Sequence, residues 1–128
     1  MQNLIQDNIG VLLKSVNFES TKLKNTNKVD FEDEFSVVGI NSDIAEFQII
    51  RKLVADVQVA FTLNVVSRVQ VYAKEGVDLK KQLTDEVIEK NKDEISRTVM
   101  VFTSSLIAQI TGAFNGVPVI TVPALRIK

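Results

Sequence analysis

Val57 to Ala73, VQVAFTLNVVSRVQVYA, alternates over its whole length. Its odd positions are Val57, Val59, Phe61, Leu63, Val65, Ser67, Val69, Val71 and Ala73, and its even ones are largely Gln58, Thr62, Asn64, Arg68, Gln70 and Tyr72. Successive side chains of a strand point to opposite faces, so this period of two predicts a strand with one buried face. The unbroken parity favours one long, bent strand spanning roughly 56 Å at about 3.3 Å per residue. That is longer than strands usually run, and a break near Asn64 or Ser67 is the alternative.

Working upstream, LLKSVNFESTKL places Leu12, Val16 and Phe18 on one side, and DFEDEFSVVGI alternates through Phe31, Phe35 and Val37; both read as strands. KNTNK between them reads as a polar turn. Asp43 to Ala55, DIAEFQIIRKLVA, is ambiguous. Ile44, Phe47, Ile50 and Leu53 fit a helical stripe, while the Ile and Val content suits a strand, which is the favoured reading.

Downstream of Gly76 the chain becomes charged and helix-friendly, as in DLKKQLTDEVIEKNKDEIS. Asn91 with Glu94 three residues on fits a capping box, in which each side chain satisfies a free backbone donor at a helix start. A helix from about Lys92 to Ala113 is predicted, its apolar stripe being Ile95, Val99, Phe102, Leu106, Ile110 and Ala113, which would cover the odd face of the sheet. Strands first and then a long helix make an α+β fold, an antiparallel sheet of about four strands with the helix packed on one face.

A second line on that helix, Val101, Ser105, Ala108 and Gly112, is small and uncharged, about 120° from the main stripe. Monomers rarely leave such a face open, so burial in a homo-oligomer is inferred, with packing against the chain's own tail as the alternative. Asn115-Gly116 reads as a helix stop, since both residues tolerate a left-handed backbone. VPVITVPALRI then runs extended, held by the chain's only two prolines, and it is apolar on both sides. Such a segment must be buried twice, or buried once and used once.

Thr98 to Leu125 carries no charge, yet Pro118 and Pro123 would break a helix running past Gly116, and lipid would then face unpaired backbone groups. Membrane insertion is not expected. With 128 residues, 45% apolar and 24% charged, the chain fits one globular domain, 1–128. A net charge of -1 offers no general attraction for nucleic acid. Cysteine and histidine are both absent, which removes thiolate chemistry, zinc sites and histidine-based catalysis. Glu32 and Glu34 share a strand face, but no loop of calcium-binding spacing surrounds them, and a solvated strand end is the favoured reading. The five glycines form neither a phosphate loop nor a dinucleotide fingerprint. Ser104 and Ser105 lack a histidine partner and read as helix-surface residues. No catalytic residue, metal ligand or cofactor is expected. MQNLIQDNIG lacks the marks of a signal peptide, so the expected location is cytoplasmic.

The order of elements, and above all LIAQITGAFNGVPVITVPAL with its helix end, its GAFNG turn and two prolines separated by aliphatics, resembles the SecB-like chaperones. KSVNFES is similar to the first strand of that family. The resemblance implies an ATP-independent holdase for unfolded polypeptide clients, working as a dimer or dimer of dimers with the long helix at the subunit interface. It puts the extended segment beside the client groove, which makes Phe18, Phe31, Phe35, Val119, Ile120, Val122 and Leu125 groove candidates. Ending at Lys128, the sequence lacks the family's second helix and acidic tail, so a toxin-antitoxin or phage setting is expected rather than delivery to an export motor. The alternative function is a non-enzymatic structural or assembly protein, of phage origin, using the same surfaces only for self-association.

Overall fold

The computed structural model of the chain describes residues 1–20, 29–55, 61–115 and 118–127. Four strands, β1 (Ile5–Ser20), β2 (Val29–Ile40), β3 (Ile44–Ala55) and β4 (Phe61–Ala73), precede a four-residue helix α1 (Leu79–Gln82) and a 31-residue helix α2 (Asp85–Asn115). All pairings are antiparallel, in the order β1-β4-β3-β2. This is the α+β architecture expected, and α2 lies on one face of the sheet.

β4 keeps the parity that its sequence announces, with every odd position from Phe61 to Val71 buried and every even one half-exposed. Val57 to Ala60 lie outside the described residues. Pairing with β3 runs from Ile44↔Tyr72 to Val54↔Thr62 without a shift, so β4 has no break at Asn64 or Ser67. The irregularity lies on the neighbouring strand instead. β1 shifts register between Leu13 and Ser15, with Leu13 opposite Ser67 and Ser15 opposite Val66, so Lys14 is an extra residue. Residues directly opposite one another share a face. Val16 and Phe18 therefore share the face of Val65 and Leu63, Val16 still 38% exposed at the sheet edge, whereas Leu12 sits opposite Arg68 on the outer face, 59% exposed. The expectation that Leu12, Val16 and Phe18 share a side is corrected by this bulge.

β3 resolves the ambiguity of 43–55 in favour of a strand, since it sits between β2 and β4 and both its backbone edges are paired. Ala45, Phe47, Ile49, Arg51 and Leu53 point inward and are buried, while Ile44 and Ile50 of the apparent helical stripe lie on the outer face.

The helix begins earlier than expected. Thr84 caps it, its Oγ1 accepting from Val87 N (3.3 Å) and its carbonyl from Ile88 N (2.9 Å), with Asp85 and Glu86 favourably placed in the first turn. Asn91 is interior, and its Nδ2 donates to Val87 O at 2.7 Å. The buried stripe also differs, because Ile95 and Val99 are followed by Met100, Thr103, Ile107 and Thr111. Phe102 is 46% exposed, Ala113 is exposed, and Leu106 and Ile110 are half-buried. The physical cause is the chain's own C-terminal segment, which packs on the Ser104 and Gly112 side of α2 and turns the covered face toward itself.

Two apolar clusters fill the core. One gathers Phe47, Ile49, Val69, Val71, Leu79, Ile95, Val99 and Met100, and the other Phe31, Leu53, Phe61, Leu63, Val65 and Ile107. A polar band separates them. It takes Asp33 from β2, Arg51 from β3, Ser67 from β4 and Thr103 from α2, all buried.

Candidate polypeptide-binding surface

Arg51 organises the site. Alternation aims it into the core, where a lone guanidinium would be strongly disfavoured, and each of its five N–H donors has an acceptor. Nε and Nη2 form a fork with Asp33 Oδ1 and Oδ2, both at 2.7 Å. Nη1 donates to Thr121 Oγ1 at 2.9 Å and Val122 O at 2.7 Å, and Nη2 also donates to Ala124 O at 2.7 Å. The ring of Phe31 lies under the guanidinium, 4.7 Å from centroid to Cζ, and Arg126 stacks on Phe31 at 4.8 Å.

This node fixes residues 118–127, which run extended along α2. Ser104 Oγ donates to Thr121 O at 2.6 Å and contacts Thr121 Oγ1 at 2.9 Å. Thr111 Oγ1 accepts from Val119 N at 2.7 Å. At the far end, Asp33 N donates to Arg126 O and Arg126 N to Asp33 Oδ2, each at 2.8 Å. The segment thereby reaches the outer edge of β2. Thr121 is buried and Val119 half-buried against the second cluster, while Ile120 is 80% and Val122 51% exposed. Of the segment's two apolar sides, the one carrying Val119 and Thr121 is core and the other is open.

The groove candidates divide accordingly. Phe18 is half-buried and stacks on Phe61, centroids 5.7 Å apart. Phe31 lies in the core beside Val119, and Phe35 stacks on Phe47 at 5.4 Å, with Leu125 packed on that same first cluster. Ile120 and Val122 alone of the seven present most of their surface outward. On α2, Gly112 meets the tail, since a Cβ there would come within 3.2 Å of Pro118 Cγ, which is local packing for that residue. Ala108 is half-buried, and Ser105 and Val101, the latter 55% exposed, stand on the open side with Phe102. β1 adds Val11, Leu12, Leu13 and Val16 as exposed apolar residues on a strand whose second edge is unpaired among the described residues.

The sequence gives no role to Arg51, Asp33 or Thr121, and Ser104, expected on the helix surface, is instead half-buried and bonds the C-terminal segment. The available signal was a charge at an inward position of each of two alternating strands, opposite in sign. Glu32 and Glu34 do share the outer face and are exposed. Glu34 bonds Lys52 at 2.8 Å, and this contact, with help from Glu32, raises the Lys52 pKa above its ordinary value. Among the described residues no cluster of acidic side chains is disposed to hold a metal ion, and no helix is long and apolar enough to cross a membrane.

A four-stranded antiparallel sheet of order β1-β4-β3-β2, with one long helix and a returning extended segment, defines an α+β class whose sheet is shared by two covers. The chain has the SecB-like fold. It superposes on a Mycobacterium tuberculosis SecB-like chaperone, solved in complex with a ChAD peptide from the HigA1 antitoxin, with a TM-score of 0.71 at 14% identity over 92% of this chain and 84% of that one. A Streptococcus agalactiae protein of unknown function matches with a TM-score of 0.53 at 11% identity, over 92% of this chain and 97% of the other. No protein-family model matches the sequence, and no curated protein matches it.

Proposed function

We propose that this chain is a non-enzymatic cytoplasmic holdase that binds unfolded or apolar polypeptide segments, without ATP, on hydrophobic surfaces of a homo-oligomer, a dimer or dimer of dimers. The observation that carries the reading is the C-terminal segment, pinned along one side by Arg51, Ser104 and Thr111 while Ile120 and Val122 face solvent. An aliphatic surface held rigidly in water gains free energy by covering apolar chain, at about 25 cal/mol per Å². The peptide bound by the M. tuberculosis chaperone of the same fold supports a polypeptide as the ligand, and an antitoxin as a client. Copies associate through the uncharged side of α2 around Val101, Phe102 and Ser105.

The test is suppression of aggregation of a chemically denatured client at near-stoichiometric ratio, together with solution mass by light scattering. Replacing Ile120 and Val122 together by Asp removes roughly 1.5 kcal/mol or more of apolar burial at each position, and lowers client affinity at least about tenfold. A monomer that suppresses nothing would sink the proposal. A second reading, an assembly protein using its surfaces only for self-association, is favoured by the exposure of Val101 and Phe102; it requires a stable oligomer that binds neither client nor hydrophobic dye.

A further inference from the structure

Residues 118–127 are held in the way a protein holds a peptide ligand. Over Val119 to Arg126 six main-chain groups are bonded by groups outside the segment. The N–H of Val119 goes to Thr111, the carbonyl of Thr121 to Ser104, the carbonyls of Val122 and Ala124 to Arg51, and both the N–H and the carbonyl of Arg126 to Asp33. Contacts to main chain are indifferent to the sequence they hold. Both prolines fall where no N–H is used. Side-chain contacts are few, namely an aliphatic Val119 against the second cluster, a small hydroxyl at Thr121, an aliphatic Leu125 against the first cluster, and the half-exposed Arg126 over the Phe31 ring. Positions 120, 122, 123 and 124 are exposed. α2 is anchored on the sheet independently, through Val99, Met100 and Ile107.

We infer that the groove formed by Thr111, Ser104, Arg51 and Asp33 is a binding site for extended polypeptide main chain, which the chain's own tail fills at rest. Client segments of the pattern aliphatic-x-Ser/Thr-x-x-x-aliphatic exchange with it. The inference rests on the polypeptide-binding reading above and assigns its specificity. As a tethered competitor the tail lowers the affinity for an outside peptide by the fraction of time the groove stands open, so loosening the tail alone tightens external binding.

The probe is a fluorescein-labelled peptide of residues Pro118 to Lys128, PVITVPALRIK, followed by anisotropy on the full chain, with a scrambled peptide beside it. Val119→Ser weakens the tail and leaves every groove residue in place. This variant is expected to bind the peptide at least about tenfold tighter than the unaltered chain. Adding Arg51→Lys, which loses the planar fork, abolishes that gain. Should the Arg51→Lys chain fail to fold by circular dichroism, Ser104→Ala in the Val119→Ser background tests the same groove and lowers peptide affinity several-fold. No tightening in Val119→Ser, or equal binding of the scrambled peptide, overturns the inference. The broader reading fails on a separate result, the absence of aggregation suppression by the unaltered chain.

Discussion

Replacing Arg51 by Met tests the centre of the structure. The substitution keeps most of the side-chain volume but removes all five donors, leaving the Asp33 carboxylate, whose side chain is 0% exposed, with no cationic partner. Breaking a buried pair from one side costs about 3–5 kcal/mol, because a charge remains where water cannot reach it. For a chain of this length a loss near 4 kcal/mol lowers the melting temperature by roughly 15 °C. The partner change, Asp33→Leu, strands the guanidinium and is expected to cost a similar amount. Combining the two leaves neither charge unpaired, and the carbonyls of Val122 and Ala124 lie in exposed residues where water replaces the lost donors. The double variant should therefore recover about 3 kcal/mol relative to the sum of the singles. Urea unfolding of the four proteins at one fixed protomer concentration measures this, since association shifts apparent stability. A single-variant loss below about 1 kcal/mol, or additivity within about 0.5 kcal/mol, would refute the reasoning.

Three further outcomes are expected. Thr84→Ala should cost about 1 kcal/mol of stability in urea unfolding, and Asn91→Ala clearly less, since Thr84 and not Asn91 caps α2; the reverse ranking would restore a helix start at residue 92. Val101→Asp with Phe102→Asp should reduce the mass seen by light scattering while changing the chain's own stability by no more than about 0.5 kcal/mol per site, because both residues are already largely exposed. Lys52, raised mainly by its hydrogen bond to Glu34, has a folded pKa above its unfolded one. Its contribution is complete below the ordinary lysine value of 10.5 and is lost as pH climbs through the raised value, and Glu34→Gln should flatten that part of an alkaline stability profile.

Legibility in the sequence followed the range of the interactions involved. β4 was readable because a strand covered on one face writes its period directly, and the tail was readable as extended from its prolines. Segment 43–55 was equivocal because Ile44 and Ile50 are apolar on the outer face too, and only pairing on both sides decides it. Lys14 shows as a bulge only against β4. The helix start was hidden, since Asn91 and Glu94 imitate a capping box while Thr84 has Val87 where that box would place Glu or Gln. Likewise hydropathy points to Phe102, Leu106 and Ile110 as the stripe of α2, whereas the covered face carries Thr103 and Thr111, of which Thr111 meets the tail through Val119 N. Seven groove candidates could be named, but which side of the tail is open depends on Thr121 meeting Arg51, a contact across 70 residues of sequence.

The pairing of Asp33 with Arg51 in the core also favours one register of β2 on β3. If β2 slipped by two residues along β3, Phe31, Asp33 and Phe35 would all still point inward, and hydrophobic burial would scarcely distinguish the wrong pairing from the right one. Arg51 would then face Phe31 or Phe35, and both charges would be buried without their counterparts at a cost of several kcal/mol. The pair thus acts as an alignment key. It disfavours misaligned sheets that apolar packing alone would accept, and the tail's bonds to Arg51 and Asp33 need the same alignment.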